Sequence, residues 1–211
     1  MKLNLKVCGM KDPENIRNVA SLLPDLMGFI FYKNSPRYVG DDFVLPAISP
    51  QIIKTGVFLN EPLKSIFEKI EKYNLQAVQL HGNESPEICS LLRPFVKVIK
   101  AFGLFRGFDF KKLGNFEGKC DFFLFDSKTP EFGGSGISFN QDLLNNYHGP
   151  VPFFISGGID EEKTNKILLN KSQFQNLFGI DVNSKFEISP GLKNSEKLKS
   201  LQRKINNLSF G

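Results

Sequence analysis

The residues best suited to catalysis or ligand binding lie together in the second half of the chain, where a carboxylate precedes a glycine-rich loop. Asp126 directly follows an apolar run, residues 122–125, which has the composition of a fully buried strand. The loop after it contains three glycines, Gly133, Gly134 and Gly136. Glycines let a backbone approach a ligand closely, and the N–H groups of such a loop can cradle a phosphate. One segment therefore offers both an acid and an anion pocket.

The elements that must position this segment are strands and helices in regular alternation. Eight apolar runs predict strands at residues 3–7, 26–31, 52–59, 75–80, 96–101, 121–125, 151–155 and 176–182. Helices are predicted between them, including one over residues 41–49, a less regular one over 108–116 and a closing one over 194–208. Strand starts recur roughly every 21–30 residues, which is the spacing of βα units in a parallel sheet.

The fold class that this pattern favours is α/β, in the form of a (β/α)₈ TIM barrel. A chain of 211 residues lies near the lower end of the usual range for that fold, about 200 to 400 residues. A doubly wound open sheet is the alternative, and eight units without a G-x-G-x-x-G turn disfavour it. No linker or low-complexity segment interrupts the pattern, so residues 1–211 are expected to form a single catalytic domain.

Composition narrows the possible partners. The chain is 41% hydrophobic and 23% charged, with a net charge of +5, which is ordinary for a globular protein. The basic residues are scattered and do not interleave with aromatic ones, so no nucleic-acid-binding face is indicated. The modest positive charge suits an anionic small molecule, although solubility explains it equally well.

The cysteine and histidine content bears on compartment and metal binding. Three widely separated cysteines, Cys8, Cys89 and Cys120, argue for free thiols in a reducing compartment. Two histidines without a cysteine at ligand spacing argue against a structural zinc, and we expect no metal site. The N-terminus lacks a long apolar region, and no apolar stretch reaches about 18 residues. We therefore expect a soluble, cytoplasmic protein.

In a barrel of this kind the residues that end each strand face one mouth, where substrates bind. The predicted strand ends are rich in polar residues and glycine: Cys8, Tyr32 with Arg37 nearby, Asn60, Gln79 with His81, Asp126, Ser156 with Gly157 and Gly158, and Asp181 with Asn183 and Ser184. The opposite ends of the strands carry aliphatic residues without reactive groups, such as Leu26, Ile52, Val96 and Val151. This asymmetry predicts that function is concentrated at one mouth.

Five short motifs, taken together, resemble the phosphoribosylanthranilate isomerase family. They are Lys6-Val7-Cys8-Gly9-Met10, Ser35-Pro36-Arg37-Tyr38-Val39, Gln79-Leu80-His81-Gly82, Asp126 with Gly133-Gly134-Ser135-Gly136, and Ile155-Ser156-Gly157-Gly158. The motifs occur in the family's order and at about its spacing, and they span the whole chain. The resemblance implies an enzyme of tryptophan biosynthesis on a (β/α)₈ barrel that needs no metal or organic cofactor.

The reaction implied by this resemblance is an Amadori rearrangement of N-(5-phosphoribosyl)anthranilate to 1-(2-carboxyphenylamino)-1-deoxyribulose 5-phosphate. An acid protonates the furanose ring oxygen so that the ring opens to a Schiff base, and a base then removes the proton on C2. The family assigns the acid to the position of Asp126 and the base to the position of Cys8. A thiol can act as a base only where it is partly ionised, which a nearby positive charge favours.

The resemblance also implies where the substrate is held. Arg37 has the planar fork suited to the anthranilate carboxylate, and Gln79, His81 and Asp181 are expected to contact the substrate. Phosphate is expected at Gly157, Gly158, Asn183 and Ser184, with Gly134, Ser135 and Gly136 helping to enclose it. The chain departs from the family after the eighth strand, where Lys185 replaces a glycine. Lysine tolerates a positive φ poorly, so the backbone at this position is expected to approach the phosphate less closely than a glycine would.

Other interpretations stay open at this stage. Each of three residues also has an ordinary structural explanation when it is considered alone. Cys8 could be a buried core residue, Asp126 could close a turn or cap a helix, and Arg37 could be a solvated surface residue. Another sugar-phosphate isomerase or epimerase barrel is one alternative function, and a non-catalytic phosphate-binding barrel is another. The expected partner in the leading hypothesis is the phosphorylated sugar–anthranilate substrate, with no nucleic acid and no membrane, and the protein is expected to be a monomer or a homodimer.

Overall fold

The computed structural model describes residues 3–126 and 141–207, with the backbone alone at positions 141 and 142. Within these ranges eight parallel strands close into a barrel. They are β1 (Asn4–Val7), β2 (Leu26–Ile30), β3 (Ile53–Phe58), β4 (Ala77–Leu80), β5 (Lys97–Gly103), β6 (Phe122–Asp126), β7 (Phe153–Ser156) and β8 (Leu177–Val182). Each strand pairs with the next, and β8 pairs back onto β1 with Lys6 opposite Asp181. The predicted (β/α)₈ barrel is confirmed.

Five α-helices pack around the described part of the barrel. They are α1 (Pro13–Ala20), α2 (Leu63–Tyr73), α3 (Pro86–Leu92), α4 (Glu161–Leu169) and α5 (Ser195–Asn207). Two of them begin with side-chain caps that the sequence signals clearly: Asp12 accepts a hydrogen bond from Asn15 N, and Asp160 accepts one from Lys163 N. None of the described helices combines the length and apolar composition needed to cross a membrane.

One of the predicted helices is wrong, and another is of a different type. Residues 41–49 form an irregular segment, because Pro46 lacks an N–H and would interrupt a helix at its centre. Phe43 anchors this segment instead, since its ring packs on those of Phe29 and Tyr73 at centroid distances of 5.9 and 5.6 Å. The helix expected over 108–116 is a 3₁₀ helix, Phe110–Phe116, and its interior Gly114 explains the weak helical preference.

The chain after β8 contains an element that the sequence did not predict. A 3₁₀ turn, Ser184–Phe186, is followed by a two-stranded antiparallel hairpin formed by β9 (Glu187–Ser189) and β10 (Leu192–Lys193). This hairpin separates β8 from the closing helix α5. The hairpin lies next to the barrel mouth, because its first residue follows Ser184 by three positions and Ser184 lines the central cavity.

The barrel interior beneath the mouth is apolar. Leu124 and Phe154 lie two residues before Asp126 and Ser156 on the same strands, and therefore on the same inward face. They pack with Leu26, Ile99 and Ala101 in one buried cluster. This plug closes the barrel below, so polar side chains one layer higher face a cavity that opens at the carboxyl ends of the strands.

Candidate active site

A cavity of about 660 Å³ opens at the carboxyl ends of the strands. Its lining includes every predicted site residue that the structure describes: Cys8, Arg37, Gln79, His81, Asp126, Gly157, Gly158, Asp181, Asn183 and Ser184. The remaining three, Gly134, Ser135 and Gly136, lie outside the described residues. Residues separated by more than a hundred positions in the chain therefore meet around one space, which is large enough for a phosphorylated sugar bearing an aromatic ring.

Cys8 stands at the end of β1 with its side chain buried against the cavity wall. Its backbone N–H donates to Val182 O at 2.9 Å, which holds it beside β8. Burial raises the pKa of the Cys8 thiol, and the ammonium of Lys6 opposes that rise. The thiol is free, as are those of Cys89 and Cys120.

A fully buried lysine lies beside this thiol. Lys6 precedes Cys8 by two positions on β1, and its Nζ is 2.8 Å from Asp181 Oδ1 on the neighbouring strand. The second oxygen of Asp181 accepts a hydrogen bond from Ser156 Oγ at 3.0 Å. Burial lowers the pKa of Lys6, but the Asp181 carboxylate and the Cys8 sulfur outweigh it, so the pKa stays above its ordinary value and the group is cationic. Cys8 thus faces a fixed positive charge.

Across the cavity, Asp126 ends β6 and lies against His81. Asp126 Oδ2 is 3.3 Å from His81 Nε2, and His81 Nδ1 is 2.8 Å from Gln79 Nε2. The amide group of Gln79 donates to Nδ1 in this arrangement, so Nε2 carries the hydrogen that faces Asp126. Asp126 Oδ1 and Gln79 Oε1 are buried without a partner among the described residues. Because unpaired buried oxygens are costly, both are suited to accept a hydrogen bond from a bound ligand.

The loop that carries His81 is held from below by a second buried lysine. Lys100 Nζ on β5 donates to Gly82 O at 2.7 Å and to Leu80 O at 3.2 Å, and it lies 3.3 Å from Glu84 Oε2. Glu84 in turn accepts hydrogen bonds from the backbone N–H groups of Asn60 and Gly82. Asn60 is therefore engaged in holding this loop, while its neighbour Leu59 lines the cavity.

Arg37 lies on the loop after β2 and shares one edge of its guanidinium with Glu187. Arg37 Nε is 2.8 Å from Glu187 Oε1, and Arg37 Nη2 is 2.6 Å from Oε2. These hydrogen bonds raise the pKa of Arg37 above its ordinary value, so the group is a permanent cation. It lines the cavity on the side of β1 and β8.

Two turns, at the ends of β7 and β8, line the cavity. Gly157 and Gly158 have φ values of +92° and +58°, a conformation that favours glycine. Asn183 and Ser184 follow β8 and lead into the 3₁₀ turn. Among the described residues, the non-glycine positions with positive φ are Leu23, Asn60 and Asn74. Lys185 is not among them, so the backbone at this position accommodates a lysine without strain.

Several residues that shape this site carried no assigned role in the sequence analysis. They are Lys6, Glu84, Lys100 and Glu187, together with Lys193, whose Nζ lies 2.5 Å from Glu187 Oε1, and Gly28, which lies against Cys8. A lysine two positions before a cysteine in an apolar strand does place both on one face, and that period-two signal was available for Lys6. The partners of Lys100, Glu187 and Lys193 are set by tertiary contacts that no local pattern encodes. Among the described residues no group of three or more histidine, cysteine, aspartate or glutamate side chains could hold a metal ion.

Together, the closed barrel and its polar mouth define a (β/α)₈-barrel enzyme with its site at the carboxyl ends of the strands. Residues 5–204 match the family model described as N-(5'phosphoribosyl)anthranilate (PRA) isomerase. The chain is 43% identical over 208 residues to N-(5'-phosphoribosyl)anthranilate isomerase of Parabacteroides distasonis, with 95% of this chain and 92% of the relative covered. It therefore belongs to the N-(5'-phosphoribosyl)anthranilate isomerase family.

Solved structures agree with this assignment. Phosphoribosyl anthranilate isomerase from Thermotoga maritima superposes with a TM-score of 0.82 at 30% identity, covering 97% of this chain and 99% of the other. A second phosphoribosyl anthranilate isomerase, solved in complex with reduced 1-(o-carboxyphenylamino)-1-deoxyribulose 5-phosphate, superposes with a TM-score of 0.75 at 24% identity, covering 97% and 99% of the two chains. The second likeness supports the fold alone.

Proposed function

We propose that this protein catalyses the Amadori rearrangement of N-(5-phosphoribosyl)anthranilate to 1-(2-carboxyphenylamino)-1-deoxyribulose 5-phosphate, a step of tryptophan biosynthesis. The observation that carries the proposal is the presence of the Cys8 thiol and the Asp126 carboxyl on the wall of one cavity. Family membership supplies the reaction, and the cavity supplies a base and an acid for it.

In the first step Asp126 acts as the general acid. Its proton passes to the furanose ring oxygen, the bond between that oxygen and C1 breaks, and the anilino nitrogen forms a double bond to C1. Asp126 Oδ1 has no partner among the described residues, so this oxygen is available to the substrate. His81 lies against the other oxygen and can steady the carboxylate that remains after the proton has left.

In the second step Cys8 acts as the general base. The thiolate removes the proton on C2, and the electron pair forms the C1–C2 double bond while the nitrogen recovers its lone pair. Lys6 supports this step because its buried ammonium lies beside the sulfur and favours the ionised thiol. The enolamine then becomes the ketone as C1 gains a proton and the C2 hydroxyl loses one. The cycle closes when Cys8 gives up its proton and Asp126 regains one.

We propose that separate groups at the cavity mouth hold the two anionic ends of the substrate. Arg37 binds the anthranilate carboxylate with the part of its guanidinium that Glu187 leaves free. The phosphate lies at the turns of Gly157 and Gly158 and of Asn183 and Ser184, where backbone N–H groups serve as donors. Gln79 and Asp181 contact the sugar, and Gly134, Ser135 and Gly136 enclose the phosphate.

The proposal extends to the whole chain. Residues 1–211 act as one catalytic domain, as a monomer or a homodimer, in the cytoplasm, on a small-molecule substrate and without a cofactor. Three buried free thiols support a reducing compartment.

The test is a fluorescence assay with freshly prepared phosphoribosylanthranilate and the purified protein. Turnover of this substrate, together with inactivity toward aldose phosphates that lack the anthranilate group, is the expected result. A wild-type protein that folds and leaves phosphoribosylanthranilate unchanged would refute the proposal.

A further inference from the structure

The hairpin after β8 carries two charged side chains that turn inward. The side chains of Glu187 on β9 and Lys193 on β10 are 4% and 0% exposed. They lie opposite each other in the antiparallel pair, and Lys193 Nζ is 2.5 Å from Glu187 Oε1. Burying a charged pair is costly unless each group finds further partners, so the remaining contacts of both residues indicate what the pair holds.

Glu187 holds the cation at one end of the cavity. Both of its oxygens accept hydrogen bonds from Arg37, from Nε at 2.8 and 3.1 Å and from Nη2 at 2.6 Å. The backbone N–H of Gly191 donates to Oε1 at 3.1 Å. A two-pronged contact of this kind fixes the plane of a guanidinium, so Glu187 sets the direction in which Arg37 faces the cavity.

Lys193 holds the turn at the other end. Its Nζ donates to Asn183 Oδ1 at 2.7 Å, and Asn183 begins the turn proposed to bind phosphate. Its backbone is fixed as well, because the N–H donates to Asn15 Oδ1 at 2.7 Å and the carbonyl accepts from Asn15 Nδ2 at 2.9 Å. The hairpin is thereby tied to α1, which anchors the backbone from which the Lys193 side chain reaches Asn183.

The two ends also meet over one glycine. Gly9 follows Cys8 and has a φ of +75°. A Cβ atom at this position would lie 2.7 Å from Arg37 Cδ and 2.7 Å from Asn183 Oδ1. Arg37 and Asn183 therefore both border the space that a side chain at Gly9 would fill, and a displacement of one alters the space left to the other.

We propose that Glu187 and Lys193 are positioning residues that join the carboxylate-binding end and the phosphate-binding end of the site into one coupled unit. A continuous chain of contacts, Arg37–Glu187–Lys193–Asn183, links the two ends. An anion that orders Arg37 also orders Asn183 through this chain, so each anion strengthens the binding of the other. The inference rests on the proposed function, because that function places carboxylate at Arg37 and phosphate at Asn183.

The experiment uses two fragments of the substrate, anthranilate and inorganic phosphate, titrated calorimetrically onto the full-length protein separately and in each other's presence. In the wild type we expect saturating phosphate to tighten anthranilate binding about fivefold or more, and anthranilate to tighten phosphate by the same factor, as linkage requires. Lys193→Met does not touch Arg37, yet it is expected to bring the coupling factor close to one. Glu187→Gln is expected to do the same.

Steady-state kinetics separate positioning from general damage. Both variants are expected to raise the KM for phosphoribosylanthranilate about tenfold. Glu187→Gln should change kcat by less than about threefold, because it leaves the acid, the base and the lysines beside the base in place. Lys193→Met also removes a charge that lowers the pKa of the Cys8 thiol, so KM is the readout for that variant. The matched control is the exposed ion pair between Glu161 and Lys204, 3.1 Å apart on the outer helices. Glu161→Gln and Lys204→Met should leave both the coupling factor and KM unchanged.

Several results would overturn the inference. One is a wild-type coupling factor of one, and another is a factor unchanged by Lys193→Met. A third is weaker anthranilate binding in Glu187→Gln with phosphate coupling intact, which would mean that Glu187 serves Arg37 alone. If either single variant fails to fold, the double variant Glu187→Gln/Lys193→Met, which removes both buried charges, gives the same measurement. Failure of the proposed reaction is a separate outcome, because it appears as absent wild-type turnover, whereas the fragment titrations need no turnover.

Discussion

Gly28 on β2 lies directly against the sulfur of Cys8, the residue that follows β1. A Cβ atom at Gly28 would lie 2.8 Å from Cys8 Sγ and 3.1 Å from Cys8 Cα, which is closer than carbon and sulfur atoms pack. The φ of Gly28 is not in the positive range, so the glycine is required by space and not by backbone conformation. The position of the thiol thus depends on a missing side chain in the neighbouring strand.

Gly28→Ala is expected to reduce kcat at least tenfold, because the methyl group must push the Cys8 thiol away from its place in the cavity. Overpacking of this kind costs about 1–3 kcal/mol of stability, so the variant should still fold. Steady-state kinetics and urea unfolding measure the two effects. The control is Gly114→Ala, since a Cβ there meets nothing within 4 Å. An active Gly28→Ala enzyme with unchanged kcat would show that the thiol need not occupy this position.

Cys8→Ala and Asp126→Asn are each expected to lower kcat by about 10²- to 10⁴-fold, the usual contribution of a general base or acid. Both changes are small in volume, so the fold and the binding of inorganic phosphate should persist. Cys89→Ala is the matched control because Cys89 is also a buried free thiol but does not line the cavity. Kinetics with phosphoribosylanthranilate test the prediction, and wild-type rates in either catalytic variant would remove that residue from the mechanism.

The strands were predictable because buried parallel strands are short, continuous apolar runs. Each predicted strand lies within about two residues of the observed one at either end. The helix expected over residues 41–49 does not form, because Pro46 breaks the helix whose start Asp41 indicates. The shared mouth was also predictable, since in a barrel the strand ends meet regardless of their distance in sequence.

The supporting residues were not predictable in the same way. Glu187 and Lys193 are charged residues in a segment that the sequence marks as irregular, where charges are usually solvated. Their burial depends on Arg37, 150 residues away from Glu187 in the chain. Lys100 and Glu84 likewise gain their roles from a loop folding back over β5. Local sequence patterns identify which side chains are suited to catalysis or binding. They do not identify the residues that hold those side chains in position.

The buried thiols outside the cavity predict a loss of stability at high pH. Burial raises the pKa of Cys89 from its ordinary value of 9.0 to about 11, and that of Cys120 to about 12. The folded state therefore keeps both protons after the unfolded chain has lost them. The stability that these groups contribute is fully present below about pH 9 and is lost as the pH rises toward 11 and 12.

Urea unfolding at a series of pH values between 8 and 11 measures this effect. The wild type should become less stable across that window, and the double variant Cys89→Ala/Cys120→Ala should show a smaller slope of unfolding free energy against pH. Cys8→Ala alone provides a comparison for the third thiol, whose pKa is also raised by burial. Identical slopes in the wild type and the double variant would rule out these two thiols as the source.

The pH dependence of turnover is expected to depend on Lys6. Four charged groups face Cys8: Lys6 and Lys193 lower the pKa of the thiol, Asp181 raises it, and Arg37 adds a positive charge whose field reaches the sulfur. Burial outweighs these positive charges, so the pKa of the Cys8 thiol lies above its ordinary value. If the thiolate is the base, kcat must rise with pH as Cys8 ionises. Lys6→Met removes a lowering charge and should move this rise to higher pH.

Two measurements separate this effect from simple damage at the site. The rate of Cys8 alkylation by iodoacetamide, followed by peptide mass, reports thiolate formation without any substrate, and its midpoint should shift upward together with that of kcat. Lys6→Met leaves Asp181 buried with Ser156 as its remaining partner, which can cost about 3–5 kcal/mol. Lys6→Met/Asp181→Asn removes that unpaired charge and should show a smaller upward shift in alkylation, because Asp181 itself raises the thiol pKa. Lys204→Met is the surface control, and an alkylation midpoint in Lys6→Met equal to that of the wild type would mean that Lys6 does not set the ionisation of Cys8.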